Sequence, residues 1–381
     1  MSNVEGGMMQ ENSKYLKEQI ITYIGNKRSL NTYIEKEVVR IKKELQKDKL
    51  IALDLFSGSG IVSRMLKKHA SLLVVNDLEK YTKYLNECYL TNYSDFDEAL
   101  YIQYKSRIDR ILKEKNYVHG LISTHYAPID DRCIKQGERC FYTTENAHII
   151  DTIRAFIDDV EDVMKPYFLA PLLYQASVNT NTAGIFKGFY KDSSTGLGKY
   201  GGNGEYALKR IKGKIKVLPP IFSHFECDVM IYTMDANLLV KQTKGFDIAY
   251  IDPPYNQHPY GSNYFMLNLI VENQMPEEIS NISGIPKNWN RSRYNKSSEA
   301  LKAFYDLLLS IDSRYVIVSY NSEGIIDIDA LTSLLSEFGE VSRKEIVYNT
   351  FKGSRNLCER NLYVKEYLFI VKMDDYGRIK K

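Results

Sequence analysis

Apolar and polar positions alternate in blocks near the amino end of the chain, in an order typical of an α/β fold. Two short apolar runs, residues 50–56 and 72–75, predict buried strands. Residues 61–68 and 79–90 follow these runs and predict helices. The resulting β-α-β-α order predicts a parallel sheet with helices on its faces.

A longer helical pattern precedes the first predicted strand. Residues 11–49 predict mainly helix, interrupted at residues 24–30, where Gly25 favours a turn. Four apolar residues share one face of this helix: Ile34, Val38, Ile41 and Leu45. Lysine and glutamate occupy other positions, as expected for an amphipathic helix.

The alternation of predicted strands and helices stops after residue 93, and strand patterns return after residue 225. Helical stretches are predicted between these points at residues 99–115, 146–164 and 171–177. Strand signals return at residues 229–233, 246–251, 315–320, 340–347 and 363–371. The last two are expected to form an antiparallel pair at the sheet edge. We therefore expect one α/β domain, residues 1–93 and 226–381, split by an insertion over residues 94–225.

Composition narrows the class of protein. The chain has 381 residues, of which 44% are hydrophobic, as in an ordinary globular protein. No apolar run is long enough to cross a bilayer, and residues 1–12 lack an apolar signal core, so we expect a cytoplasmic protein without a membrane partner. The five scattered cysteines favour reduced thiols. The net charge of +3 does not by itself identify a polyanion partner.

No metal site is expected. Four possible ligands lie close together in sequence: His125, Cys133, Cys140 and His148. Their spacing matches none of the usual pairs, because structural zinc sites favour two cysteines separated by two to four residues.

A glycine-rich turn follows the first predicted strand. The strand ends at Asp54, and Gly58 and Gly60 precede the helix. Glycine accepts positive φ and lets the backbone approach a ligand closely. Asp77 ends the second strand, at the position where an acid hydrogen-bonds ribose hydroxyls in folds that bind dinucleotides or S-adenosylmethionine. The turn lacks Gly-x-Gly-x-x-Gly spacing and the lysine of a phosphate loop, which argues against NAD and ATP. The pattern favours another adenosine-containing cofactor over an ordinary strand-to-helix turn.

Asp252-Pro253-Pro254-Tyr255 lies at the carboxyl end of the strand predicted over residues 246–251. The prolines keep the backbone extended and remove two N–H donors, so that carbonyls point outward. Asp252 and the Pro253 carbonyl could accept hydrogen bonds from the two N–H groups of an adenine amine and direct its lone pair toward a methyl donor. Tyr255 offers a face on which an extruded base can stack. The structural alternative is a Pro-Pro turn capped by an aspartate.

These motifs resemble the D12 class of DNA adenine-N6 methyltransferases, which places cofactor motifs first, an inserted recognition region next and the catalytic motif last. The matching segments are residues 23–30, 54–60, Asp77, Asp235 within residues 233–236, and residues 252–255. Residues 179–191 and 366–369 also resemble a subset of this class found in restriction–modification systems.

The resemblance implies a Rossmann-like methyltransferase sheet with an inserted, mostly helical target-recognition region. It implies transfer of a methyl group from S-adenosylmethionine (SAM) to adenine N6 in a specific double-stranded DNA sequence, by base flipping. The implied catalytic residues are Asp252, Pro253, Pro254 and Tyr255. The implied cofactor-binding residues are Tyr23, Lys27, Asp54, Phe56, Ser57, Gly58, Gly60, Asp77 and Asp235. Of these, the lysine and Asp54 would lie near the methionine end of SAM, Asp77 near its ribose and Asp235 near its adenine.

Three basic segments are candidates for DNA contact. Residues 187–216 carry many lysines and arginines against two acids, with glycines and tyrosines interleaved. Residues 289–296 and 352–360 are further candidates. The predicted DNA-contacting residues are Lys187, Lys191, Lys209, Arg210, Lys212, Arg291, Arg293 and Lys296. The alternative for these segments is a solvated charged loop.

Two other functions remain open. Asp-Pro-Pro-Tyr also occurs in enzymes that methylate RNA guanine amines, so an RNA base methyltransferase acting on adenine N6 or guanine N2 is the main alternative. The long insertion and the motif at residues 23–30 favour DNA. A catalytically silent nucleic-acid binder is the other alternative, and the intact Asp77, Asp252 and Tyr255 argue against it. A cognate restriction endonuclease acting on the same site is a further candidate partner.

Overall fold

A computed structural model describes residues 10–202, 205–349 and 363–374. The strands within these residues are β1 (Leu50–Asp54), β2 (Ala70–Asp77), β3 (Asp228–Thr233), β4 (Phe246–Ile251), β5 (Ser313–Asn321), β6 (Gly339–Asn349) and β7 (Tyr363–Met373). They form one sheet in the order β3-β2-β1-β4-β5-β7-β6. The first five strands in this order pair in parallel, and β7 is antiparallel to both of its neighbours. The α/β prediction is confirmed.

The helices before the predicted insertion are α1 (Asn31–Glu44), α2 (Ile61–Lys67) and α3 (Lys80–Tyr89). Within it lie α4 (Glu98–Lys113), α5 (Leu121–His125), α6 (Thr144–Asp158), α7 (Lys165–Val178) and α8 (Glu205–Ile211). The later helices are α9 (Ala236–Gln242), α10 (Tyr260–Asn263), α11 (Phe265–Glu272), α12 (Ala300–Ser310) and α13 (Ile328–Ser336). Among the described residues, no helix is both long and apolar enough to span a membrane.

The sheet is covered by helices on both faces. Ala249 and Ile251 of β4 pack in one core with side chains of α9, α12 and α13. Ile248 and Tyr250 point to the opposite core, which includes α1 and α2. Strands that are buried on both faces carry continuous apolar runs, which is why the sequence revealed them.

The helices of residues 94–225 share a hydrophobic core with elements outside that range. Ile150 of α6 and Leu172 of α7 belong to the same buried cluster as Leu85 of α3 and Leu269 of α11. The predicted insertion is therefore held against α3 and α11 by apolar packing. Its role in target recognition stays a prediction.

The prediction of helix over residues 11–23 is wrong, since α1 begins only at Asn31. The reason is a buried arginine. The guanidinium of Arg64 donates hydrogen bonds to the backbone carbonyls of Tyr15, Glu18 and Gln19. Satisfying a buried guanidinium requires these carbonyls, so they are not used in a helical ladder.

Candidate active site

The carboxyl ends of β1, β2 and β4 lie at one edge of the sheet and border a cavity. Its empty space amounts to about 710 Å³, a figure that includes space open to solvent. Most of the predicted cofactor and catalytic residues line it: Tyr23, Lys27, Phe56, Ser57, Gly58, Asp77, Asp252 and Pro254. Segments far apart in the sequence thus form a single pocket.

The glycine turn is held against Asp77. The backbone N–H of Gly58 donates to Asp77 Oδ2 at 2.8 Å, and the N–H of Glu79 donates to Oδ1 at 3.0 Å. Burial raises the pKa of Asp77, and these backbone donors oppose the rise. An ionised carboxylate can accept more than two hydrogen bonds. Asp77 can therefore keep the turn in place and still accept a hydrogen bond from a hydroxyl group of a ligand.

Gly58 needs to be glycine for two reasons. Its φ is +50°, and a Cβ on it would lie 2.9 Å from Cε1 of Tyr23. Gly60, at φ +77°, precedes α2 and is not part of the cavity wall. The turn therefore brings bare backbone to the cavity, as a bound ligand would require.

Asp54 is fully buried behind the turn. Its Oδ2 accepts a hydrogen bond from Ser63 Oγ at 2.5 Å. Its Oδ1 has no hydrogen-bond partner within the described part of the chain. Burial raises the pKa of Asp54 to about 7. A buried carboxylate oxygen without a donor is costly, and a ligand that carries a cationic nitrogen would satisfy it.

Asp252 lies at the tip of β4 and forms an ion pair with a buried lysine. Nζ of Lys27 is 3.0 Å from Asp252 Oδ1 and 2.7 Å from Oε1 of Glu366. Burial raises the pKa of Asp252 to about 7, the Glu366 charge adds to the rise, and Lys27 opposes it. Burial lowers the pKa of Lys27, but the two carboxylates outweigh this and raise it well above its ordinary value.

The rest of the catalytic motif is anchored by backbone contacts. The carbonyl of Tyr255 accepts a hydrogen bond from the Ile325 N–H at 2.8 Å. The Tyr255 ring is half-buried, 5.5 Å from the Lys27 amino group. Within the described residues, the Pro253 carbonyl accepts no hydrogen bond from the protein. The motif thus offers one carboxylate and one carbonyl as acceptors, although Pro253 and Tyr255 are not among the residues that line the cavity.

Stacked tyrosines fasten the N-terminal motif to the region after the catalytic motif. The ring of Tyr23 stacks on Tyr260, with centroids 4.9 Å apart, and on Tyr264, at 4.7 Å. The hydroxyl of Tyr264 accepts a hydrogen bond from the Ile24 N–H at 2.6 Å. This stack places Lys27, only a few residues further along, within reach of Asp252.

Several residues in or beside the cavity were missed in the sequence. Asn290, Ser292 and Asn295 line the cavity, whereas the prediction for this stretch was DNA contact by its basic residues. The side chain of Asn295 donates to the carbonyl of Asn256, at 2.7 Å. Residues 289–296 thus form part of the cavity wall. Glu366 lies beside the cavity and was noted only within a family resemblance; its signal is an acid in a mostly apolar strand.

Several predicted DNA-contacting residues already have partners in the protein. Arg210 donates to the backbone carbonyls of Val178, Thr180 and Thr182. Arg293 pairs with Asp306 at 3.1 Å, and Lys296 pairs with Glu299 at 2.9 Å. Arg210 in particular therefore has a structural role, because it satisfies three backbone carbonyls.

Other predicted DNA contacts present cationic groups to solvent. Lys191, Lys209, Lys212 and Arg291 are exposed, and the Arg291 guanidinium lies 4.3 Å from the Trp289 ring. Nζ of Lys187 lies 3.3 Å from Nδ1 of His258, just after the catalytic motif. The third basic segment, residues 352–360, lies outside the described residues.

Asp235 is placed differently from the other predicted cofactor residues. Its side chain accepts a hydrogen bond from the Leu238 N–H at 3.1 Å and caps α9. It does not line the cavity. Its predicted contact with the cofactor adenine stays a prediction. Among the described residues, no cluster of three or more His, Cys, Asp or Glu side chains is arranged to hold a metal ion.

Comparison with known proteins identifies related sequences. The family described as D12 class N6 adenine-specific DNA methyltransferase matches residues 23–334. Type II methyltransferase M.NlaIII of Neisseria lactamica is 29% identical over 362 residues, covering 92% of this chain and 99% of the relative. Type II methyltransferase M.CviAII of Paramecium bursaria Chlorella virus 1 is 28% identical, covering 92% and 98%. Type II methyltransferase M.FokI of Planomicrobium okeanokoites is 29% identical, and the match spans 52% of its length.

Proposed function

Since the chain belongs to the D12 class of N6 adenine-specific DNA methyltransferases, we propose that its cavity holds SAM beside an adenine flipped out of duplex DNA. The family membership makes the protein an adenine-specific DNA methyltransferase that uses a methyl donor. The observation that carries the proposal is the single cavity that joins the glycine turn, Asp77 and Asp252. Donor and target would meet there, which is the main requirement for a transfer between two bound molecules.

The residues around the glycine turn are suited to SAM. Asp54 does not line the cavity, but its Oδ1, buried behind the turn without a donor, is the acceptor that would face the ammonium group of the donor's methionine end. Asp77 has acceptor capacity left for ribose hydroxyls, and Tyr23 and Phe56 supply apolar walls. When bound, SAM would supply a methyl group already activated on a sulfonium. The protein's own residues therefore need only to position and to stabilise charge.

Asp252 and the Pro253 carbonyl would act on the target amine. Each accepts one N–H of adenine N6, which turns the nitrogen lone pair toward the methyl group. As the nitrogen gains the methyl group it becomes positively charged, and the Asp252 carboxylate stabilises that charge. The pKa of Asp252, raised to about 7 by burial, also suits this carboxylate to receive the surplus amine proton. Tyr255 would stack on the extruded base.

The proposed biological context is a restriction–modification system. The relatives named above are type II methyltransferases, and two others, StsI and LlaI, are named modification methylases. We propose that this enzyme methylates one specific sequence in host DNA, in the cytoplasm, and that a restriction endonuclease cuts the same sequence when it is unmodified. Exposed cations of residues 187–216, together with Lys187 near the catalytic motif, would contact the DNA backbone.

The experiment is methyl transfer from tritiated SAM to unmethylated duplex DNA and to RNA, with the modified nucleoside identified by mass spectrometry. We expect N6-methyladenine in duplex DNA. Asp252→Ala should abolish transfer, while its SAM affinity by calorimetry stays within about threefold of the unmodified protein. Asp109→Ala, an exposed aspartate of α4, is the control and should retain activity. Label in RNA alone would support the RNA alternative, and undiminished turnover by Asp252→Ala would refute its role.

A further inference from the structure

The buried amino group of Lys27 is shared by two carboxylates that belong to different parts of the sheet. It lies 3.0 Å from Asp252 and 2.7 Å from Glu366. Asp252 stands at the tip of β4 and lines the cavity, whereas Glu366 lies inside β7, is 1% exposed and does not line the cavity. Glu366 can therefore influence a bound substrate only through Lys27 and Asp252.

Glu366 is held firmly by the neighbouring strand. Ser319 Oγ of β5 donates to its Oε1 at 2.7 Å, and the side-chain amide of Asn321 donates to its Oε2 at 3.4 Å. In the β5–β7 register, Asn321 is opposite Glu366. These donors favour the ionised carboxylate. Burying an ionised carboxylate costs free energy of folding. The placement of Glu366 beside the catalytic carboxylate therefore calls for a reason other than packing.

The reason lies in the balance of charge. A lysine paired with Asp252 alone would neutralise it and occupy the oxygen that the target amine needs. With Glu366 present, one positive charge is divided between two carboxylates, and the shorter of the two distances is to Glu366. We propose that Glu366 is a positioning residue for methyl transfer: it holds Lys27 away from full pairing with Asp252, so that an Asp252 oxygen stays available to the target amine. This inference rests on the proposed role of Asp252.

Other groups also act on Asp252, so they must stay constant in the test. Besides the two partners of the triad, Asp77 contributes a negative charge. The negative charge of Asp252 in turn raises the pKa of Asp54 and of the hydroxyls of Tyr250 and Tyr255. None of these is altered in the variants below, so a change can be assigned to the triad.

The test is the pH profile of single-turnover methyl transfer to duplex DNA. Its acidic limb should report protonation of Asp252. Glu366→Gln removes a negative charge near Asp252, so this limb should move to lower pH, while the maximal rate falls by about tenfold or more because Lys27 now neutralises Asp252. Lys27→Met removes a positive charge, so its limb should move to higher pH. Opposite shifts from two neighbouring substitutions are not expected from general loss of structure.

The controls separate the effect of the triad from the loss of an acid elsewhere. Glu345→Gln makes the same chemical change at an exposed acid of β6 that pairs with Lys365, so its limb should stay in place. SAM affinity by calorimetry should change less in Glu366→Gln than the rate does. Should Glu366→Gln fail to fold by circular dichroism, Glu366→Asp replaces it, because it withdraws the carboxylate by one methylene and should shift the limb in the same direction.

An acidic limb that stays in place or moves to higher pH in the Glu366 variant would overturn the inference. Absence of methyl transfer by the unmodified enzyme would instead count against the proposed function. The two failures are thus distinguished within one set of measurements.

Discussion

At Gly58, the turn between β1 and α2 comes closest to the N-terminal motif. The residue combines positive φ with a wall of Tyr23 atoms where a Cβ would lie. Gly245 also has positive φ, +82°, but a Cβ there would meet no atom within 4 Å. Comparing the two positions separates backbone strain from loss of space in the cavity.

We predict that Gly58→Ala weakens SAM binding by about tenfold or more, because the new methyl group pushes Tyr23 and the turn apart within the cavity wall. Gly245→Ala should bind SAM normally. Both variants should lose about 1 kcal/mol of stability from the strained φ. Calorimetric titration and thermal melting measure the two effects. Equal SAM affinities for the two variants would show that Gly58 is needed only for its backbone conformation.

At the scale of elements, the basic residues in and just after α8 face in different directions. Arg210 is turned inward to three backbone carbonyls, whereas Lys209 and Lys212 are exposed. A sequence pattern cannot distinguish these uses, since all three residues are cations in one short stretch. Their effects on DNA binding and on folding should differ accordingly.

We predict that the double substitution Lys209→Ala with Lys212→Ala weakens DNA binding and reduces the salt dependence, log K against log salt, by about 0.9 for each DNA phosphate that the two lysines neutralise. Its melting temperature should be nearly unchanged. Arg210→Ala should instead lower the melting temperature, since three backbone carbonyls would be left without their donor. Fluorescence anisotropy at several salt concentrations measures the first effect. An unchanged salt slope in the double variant would remove this stretch from the DNA interface.

At the scale of the whole molecule, several carboxyl groups are buried in and around the cavity, away from solvent. Burial raises the pKa of Asp54, Glu79 and Asp252 to about 7 each. In an unfolded chain these groups titrate near pH 4. Between about pH 4 and pH 7 the folded protein therefore binds more protons than the unfolded chain, and the free energy of unfolding falls as pH rises through this window.

We predict that the ligand-free protein melts at a higher temperature near pH 5.5 than near pH 8, by a few degrees. His125 and His258, whose pKa burial lowers, act in the opposite direction but lie nearer the surface. Asp54→Asn keeps the shape of the side chain and should reduce the difference between the two pH values. Differential scanning calorimetry measures it. A melting temperature that rises from pH 5.5 to pH 8 would contradict the cost assigned to these buried carboxylates.

Local sequence was sufficient to predict the strands, the glycine turn and the catalytic motif. Strands buried on both faces are continuous apolar runs, and all five strands predicted after residue 225 occur in the structure. Motifs at strand ends are local, so their chemistry could be inferred from four to seven adjacent residues. Their meeting at one sheet edge followed from parallel strand order, and family membership confirmed the function.

The pairing of charges, in contrast, depends on how the folded chain packs. Glu366 reaches Lys27 from a strand more than three hundred residues away in sequence. Likewise, Arg64 takes carbonyls from the segment predicted as helix, Arg210 turns inward, and Asn290 and Asn295 form a cavity wall. The physical reason is common to all four. Local pattern specifies backbone conformation, but the partner of a buried polar group is set by how distant elements pack, and burial makes that partner obligatory.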